Sequence, residues 1–235
     1  MGEASLWGRL KTSLQASAGD VVFGMEDGTV SIFGLVFGVA ATTNDQKAVL
    51  IAGASGAVAA AVSMMAGTYL DAETNRDQAK VLALRIETEV RSDSAVVLEG
   101  VTQRLYAVGM AREQATIVSD FLSSQPAILQ GFATALAAPE ESGASQSPLV
   151  RSLWMLVADF LAAAIPILPF GFLAVPQGRV VSGIVTTLLL VALGIGRARI
   201  GGRGIVRTVF ETVAIGVAAA IAGVAIGVFV SHIFT

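Results

Sequence analysis

Residues 21–41 read VVFGMEDGTVSIFGLVFGVAA, an apolar stretch long enough to cross a membrane that carries two adjacent acids, Glu26 and Asp27, between Gly24 and Gly28. About 20 apolar residues in a helix match a hydrocarbon core of about 30 Å. An ionisable group inside such a helix costs about 2.5 to 3.5 kcal/mol on insertion scales, so it faces a bundle interior or an aqueous path and marks an ion or proton route. Transport is therefore the first functional expectation. Asp27 leads it, because one carboxylate in a dry site binds a cation or a proton and is unstable there when empty and ionised. Glu26 points about 100° away around the helix, which puts one acid of the pair on the path and leaves the other nearer the interface. The competing reading has Asp27 capping a broken helix or pairing with an arginine.

The rest of the chain supports a membrane class. Of the 235 residues, 54% are hydrophobic and 14% charged, and the mean hydropathy is +0.73, whereas soluble domains carry about 25% charged residues. The apolar runs are continuous rather than alternating segments of about 10 residues, so the expected class is an all-α integral membrane protein, not a barrel. Five spans are expected at roughly 21–42, 48–70, 150–174, 179–196 and 209–231. Asp20 and Arg179 sit at span ends, where long or edge charges reach water. The absence of cysteine excludes disulfides and thiolate metal sites. The net charge of -3 implies no partner, and no nucleic-acid motif, phosphate loop or nucleophile triad stands out, so no enzyme activity and no resident cofactor are expected.

Positive charge is retained on the cytoplasmic side of a membrane. Arg9 and Lys11 precede span one, seven Lys or Arg from Arg76 to Arg151 lie between spans two and three, and Arg197, Arg199, Arg203 and Arg207 lie between spans four and five; Lys47 and Arg179 fall on the other side. The amino terminus is expected in the cytoplasm and the carboxyl terminus outside or in a lumen. Residues 1–20 contain Leu6, Trp7, Leu10 and Leu14 at helical spacing with Arg9 and Lys11 between them, the pattern of an amphipathic helix on the inner membrane face rather than of a signal peptide. The compact chain without a targeting extension favours a prokaryotic cell membrane.

Spans one and two, residues 21–70, are followed by a change of composition. Over 71–148 charges become frequent and apolar residues periodic: Val97, Val101, Leu105 and Val108 form one stripe, Ala115, Val118, Phe121 and Leu122 another. This predicts a small helical cytoplasmic domain, whose first helix continues from span two because neither Gly nor Pro interrupts Tyr69 to Arg91. Ala137 to Pro148, with Pro139, Gly143 and three serines, reads as a flexible connection into spans three to five, residues 149–235. Gly24-xxx-Gly28, Gly34-xxx-Gly38 and Gly223-xxx-Gly227 each set two glycines on one helix face for close packing, within the monomer or between subunits. Pro166 and Pro169 should kink or break span three.

Three further groups carry possible chemistry. Met64 and Met65 in span two offer soft, polarisable sulfur, which suits late first-row metals better than Mg²⁺ or Ca²⁺ when it faces a carboxylate; taken alone they are core filler. Met155 and Asp159 repeat the combination in span three, four residues apart on one helix face, with ion handling set against a structural hydrogen bond or arginine pairing for Asp159. Glu211 reads as an interfacial charge beside Arg207, and His232 as a surface residue near the carboxyl terminus.

These residues resemble the vacuolar iron transporter family, also called the calcium cross-complementer family. Gly24-Met25-Glu26-Asp27-Gly28-Thr29-Val30 with Phe33 to Val39 is similar to its first span, Ser63-Met64-x-Ala66-Gly67-x-Tyr69 to its second, and Ile165-Pro166-x-Leu168-Pro169-Phe170 to its third. The resemblance implies a homodimer in the lipid bilayer that exchanges Fe²⁺, and often Mn²⁺, for protons along a path between subunits, lined by an Asp and a Met that match Asp27 and Met64 here. There are departures. Thr68 stands where the family's second span has Glu, and 71–148 contains no Glu-x-x-Glu pair and one methionine, Met110, where the family collects iron with paired glutamates and methionines. Glu87, Glu89, Glu99 and Glu113 remain as possible oxygen ligands, against the simpler reading as solvated helix charges. The expected function is proton-coupled export of Fe²⁺ or Mn²⁺ from the cytoplasm; the alternatives are another cation or small solute as cargo, or a non-transporting scaffold or sensor on the same fold.

Overall fold

The computed structural model describes residues 6–137 and 147–234, and its regular elements there are all helices. They are α1 (Leu6–Ala16), α2 (Ala18–Thr42), α3 (Gln46–Ser92), α4 (Ser94–Ala107), α5 (Arg112–Ser123), α6 (Pro126–Ala137), α7 (Pro148–Phe172), α8 (Val175–Ile200) and α9 (Ile205–Phe234). Five of them, α2, α3, α7, α8 and α9, are long and apolar enough to span a membrane. Each expected span thus lies in a helix of its own. The α3 helix runs on without a break to Ser92, as the lack of Gly and Pro after Tyr69 predicts. Most of the connection expected over Ala137 to Pro148 falls outside the described residues.

The chain divides into two units, Met1–Leu70 with Gln146–Thr235, and Asp71–Ser145. In the first, α2 is central and packs against α7, α8 and α9. Ile32, Val36 and Ala40 of α2 join Val49 and Ala57 of α3, Ala163 and Phe170 of α7 and Val175 of α8 in one apolar core. Local chemistry sets the helix ends. Ser147 caps α7, its Oγ accepting from Val150 N at 3.4 Å just ahead of Pro148, where the missing N–H is harmless. The turn from α8 to α9 passes through Gly202 at φ +61°, a left-handed conformation that favours glycine.

The α7 helix continues through Pro166 and Pro169 to Phe172, so of the expected kink or break, the break does not occur. Neighbouring side chains bond the carbonyls there. Ser182 Oγ of α8 donates to Pro166 O at 2.7 Å, and Gln46 Nε2 of α3 donates to Phe170 O at 2.6 Å. The carbonyls that the prolines leave without an intrahelical donor are those of Ala162 and Ile165, four residues earlier, so these two bonds instead tie α7 to α8 and α3.

In the second unit, Ile86 and Val90 of α3, Val101 and Leu105 of α4, Ala115 and Leu122 of α5, and Leu129 and Ala133 of α6 form a separate core. Asp93 caps α4 by accepting from Ala95 N at 3.1 Å, and Gly109 at φ +90° turns the chain after it. Of the predicted stripes, Val101, Leu105, Ala115 and Leu122 are buried, while Val108 and Phe121 face outward.

Candidate functional site

The site is built on α2, where glycine sets how close its neighbours come. A methyl group built on Gly24 would lie 2.5 Å from Met155 Sδ, and one on Gly28 would overlap the Asp159 carbonyl and lie 2.6 Å from Asp159 Oδ1. The Gly24-xxx-Gly28 face of α2 therefore beds directly on the Met155-xxx-Asp159 face of α7. Any larger residue at position 28 would displace the carboxyl.

Asp159 is fully buried, at 0% exposure, and Met155 is 3% exposed. Neither carboxyl oxygen of Asp159 has a hydrogen-bond partner among the described residues, so neither the structural bond nor the arginine pairing weighed for it is present. Buried polar atoms are ordinarily satisfied, and an orphaned carboxyl calls for an explanation. Asp27 adjoins Gly28 in sequence and lies close enough to Asp159 for the two carboxyls to interact as charges. Asp27 is half-buried within α2, and it neither caps a broken helix nor pairs with an arginine among the described residues. Two carboxyls on neighbouring helices, with Met155 sulfur one turn away, form a set that can take a proton or a cation with some preference for a soft metal.

Glu26 has a different environment. Its Oε2 accepts from Arg197 Nη1 at 3.3 Å and its Oε1 from Thr212 Oγ1 at 3.2 Å, tying α2 to α8 and α9. The two adjacent acids face different partners, as their offset around the helix requires. Sequence reading did not find Arg197 and Thr212 as partners of Glu26; a membrane-edge arginine and a threonine in span five carry no motif. Nor did it pair Asp20, which Arg151 clamps from Nε and Nη2 at 2.9 Å each. Glu211 accepts from Arg207 and also pairs with Arg203 at 3.5 Å.

Met64 and Met65 are half-buried on α3, and the atoms nearest Gly24 and Gly28 belong to Met155 and Asp159 rather than to them. Thr68 turns back on its own helix, its Oγ1 donating to Met64 O at 2.9 Å. In the second unit, Glu87 accepts from Arg91 at 2.5 Å and Glu89 from Arg85 at 2.9 Å, both one turn away on α3. Glu99 reaches Gln103 at 3.5 Å and Glu113 lies exposed in the first turn of α5. No cluster of three or more His, Cys, Asp or Glu side chains suited to a metal occurs among the described residues.

The sequence profile of the VIT family matches residues 18–228. Vacuolar iron transporter 1 of Arabidopsis thaliana is 27% identical over 218 residues, 91% of this chain and 86% of the relative. The vacuolar iron transporter of Centaurea cyanus is 26% identical over 204 residues, 86% and 83% of the two chains, and vacuolar iron transporter 2 of Oryza sativa subsp. japonica is 24% identical over 204 residues, 86% and 83%. These relatives are plant proteins named for the vacuole, which lends no support to the expectation of a prokaryotic cell membrane. With all five apolar spans lying largely inside the matched residues, the chain belongs to the VIT family, as a membrane transporter and not an enzyme.

Proposed function

We propose that this membrane metal transporter moves Fe²⁺ or Mn²⁺ out of the cytoplasm in exchange for protons, with metal and proton competing for the Asp27 carboxylate. The observation that carries the reading is the orphaned, buried carboxyl of Asp159 held against Gly28, next to Asp27. A protein that only needed stable spans would gain by replacing that group with an apolar one. Binding of the metal displaces the proton from Asp27, and protonation from the far side expels the metal. Asp159 is the second carboxyl of the path, Met64 supplies sulfur as the resemblance implies, and Met155 offers a further sulfur one turn from Asp159. Glu26, bonded to Arg197 and Thr212, borders the path and holds α2 in register beside it.

In this reading two copies assemble with their α3 helices facing, which covers the outward apolar residues Ile51, Val58 and Val62 and completes the path at Met64 and Met65. The amino terminus and the arginines between α8 and α9 lie on the cytoplasmic side. The cytoplasmic unit, with its glutamates paired or solvated, contributes little to metal loading.

The decisive experiment is flux of Fe²⁺ and Mn²⁺ into proteoliposomes with and without a pH gradient, for the natural chain and Asp27→Asn. Gradient-dependent flux that falls to background in Asp27→Asn supports the exchange. Flux that survives the substitution, or no flux of either ion from folded protein, overturns it.

A further inference from the structure

A groove with no part in the transport path runs along the face of the first unit where α2, α8 and α9 meet. Its volume is about 520 Å³ and its walls are almost wholly apolar, with Phe33, Val180, Ile184, Leu188 and Ile221 among them. At one end stands Arg179, at the start of the second turn of α8, towards the opposite end of that helix from Arg197. Arg179 Nε is buried without a hydrogen-bond partner, and the side chain makes no ion pair among the described residues. No Asp or Glu lines the groove.

We infer that this groove is a binding site for an anionic phospholipid, whose phosphate is held by Arg179 and whose acyl chain lies along Ile184 and Leu188. Three features of the groove select that occupant. From Arg179 to Leu188 the helix rises about 13 Å, close to half the hydrocarbon thickness of about 30 Å, which is the depth one leaflet's chain occupies. The guanidinium fork matches a phosphate oxygen pair, and the positive end of α8 adds to its attraction for an anion. Gly183 opens the floor: a methyl built there meets only Phe37 Cζ, at an ordinary 3.6 Å. A second copy of the chain fits less well, because the groove brings no acid to a self-docked face and the arginine would be buried unpaired. A transmembrane arginine near a span end can also reach water on its own, so the lipid must be shown by selectivity.

The test uses the full chain in mild detergent, mixed with equal amounts of phosphatidylglycerol and phosphatidylethanolamine and read by native mass spectrometry. The natural chain should retain phosphatidylglycerol preferentially, and Arg179→Gln should lower that preference about five-fold, the effect of one cation near an anionic lipid. Gly183→Leu fills the groove and should remove the retained lipid with either headgroup, while circular dichroism stays unchanged. The Arg199→Gln control, at the other end of α8, should match the natural chain. Equal retention of both lipids by the natural chain, or an unchanged preference in Arg179→Gln, overturns the assignment. Because the chain has no cysteine, Gly183→Cys gives a single reporter: efficient disulfide cross-linking of two copies in the membrane would make the occupant a second copy and overturn the lipid.

Discussion

The α2 helix carries two glycine pairs, and they do different things. Gly34 and Gly38 meet α9 backbone to backbone. A methyl on Gly34 would lie 2.8 Å from Ala219 O and one on Gly38 2.6 Å from Gly223 O, while methyls on Gly223 and Gly227 would overlap the carbonyls of Gly34 and Gly38 in return. That seam presents no ionisable side chain. Gly24 and Gly28, earlier on the same helix, meet α7 through Met155 and the orphaned Asp159. In lipid, helices associate through van der Waals contact rather than water exclusion, so both seams need close approach. Only the second seam sets a carboxyl into that close contact. The same spacing on one helix thus yields a structural seam and a chemical one.

The largest effects should come from the structural seam. Gly38→Leu or Gly223→Leu must push the α2 and α9 backbones apart, and overpacking of this kind costs about 1–3 kcal/mol or more. The expected outcome is loss of monodisperse protein by size-exclusion chromatography, with flux lost alongside it. Folded, active Gly38→Leu would show that the α2–α9 contact is not needed.

The chemical seam should separate stability from activity. Asp159→Asn keeps size and removes the charge, so the melting temperature should stay level or rise, while metal flux falls about ten-fold or more through loss of one transition-determining contact of about 1.4 kcal/mol. Flux should also lose its dependence on the pH gradient. Unfolding of Asp159→Asn with flux intact in the remaining folded fraction would make the residue structural, and the two seams would then be alike.

This contrast was only half legible in the sequence. The glycine spacing at Gly24/Gly28, Gly34/Gly38 and Gly223/Gly227 announced close helix approach, and the acids in the first span announced ionisable groups inside an apolar helix, because both are local patterns in one helix. The partner across each seam was not legible. Nothing in the periodicity of α7 says that Asp159 meets Gly28 rather than an arginine, and nothing in α9 says that Thr212 meets Glu26, since each pairing closes over more than 100 residues of chain. The prolines were read as a kink or a break, and the helix runs on through both; the ties from Ser182 and Gln46, on two other helices, to Pro166 O and Phe170 O were not legible in α7 alone. The five helices themselves were legible because apolar length is a property of each segment alone.

The acids of α2 can be compared the same way. Glu26 is 12% exposed as a side chain and holds Arg197, which is 40% exposed. Arg197→Gln removes the charge partner but leaves the Thr212 bond, so a loss of about 1 kcal/mol is expected, at the upper end for a part-exposed pair. Thermal unfolding in detergent should show a drop of a few degrees, with residual flux well above that of Asp27→Asn. Flux as low as in Asp27→Asn would put Glu26 on the path itself and erase the distinction between the two acids.

The smallest effect is expected in the second unit. There Glu87 and Glu89 pair with Arg91 and Arg85 on the surface of α3, and Glu99 and Glu113 are exposed. Exposed pairs one helical turn apart are worth about 0.3–0.5 kcal/mol each. A metal ion would have to compete with those arginines for Glu87 and Glu89, and the four glutamates form no cluster that could offset the competition. Replacing all four by Gln should therefore cost under about 1 kcal/mol and leave flux within about two-fold of the natural chain at every metal concentration. A drop in flux confined to low Fe²⁺ or Mn²⁺, rescued by raising the metal, would show that these side chains do gather substrate; paired with calorimetry of the full-length quadruple variant, it would move the first metal contact from the membrane seam to the second unit.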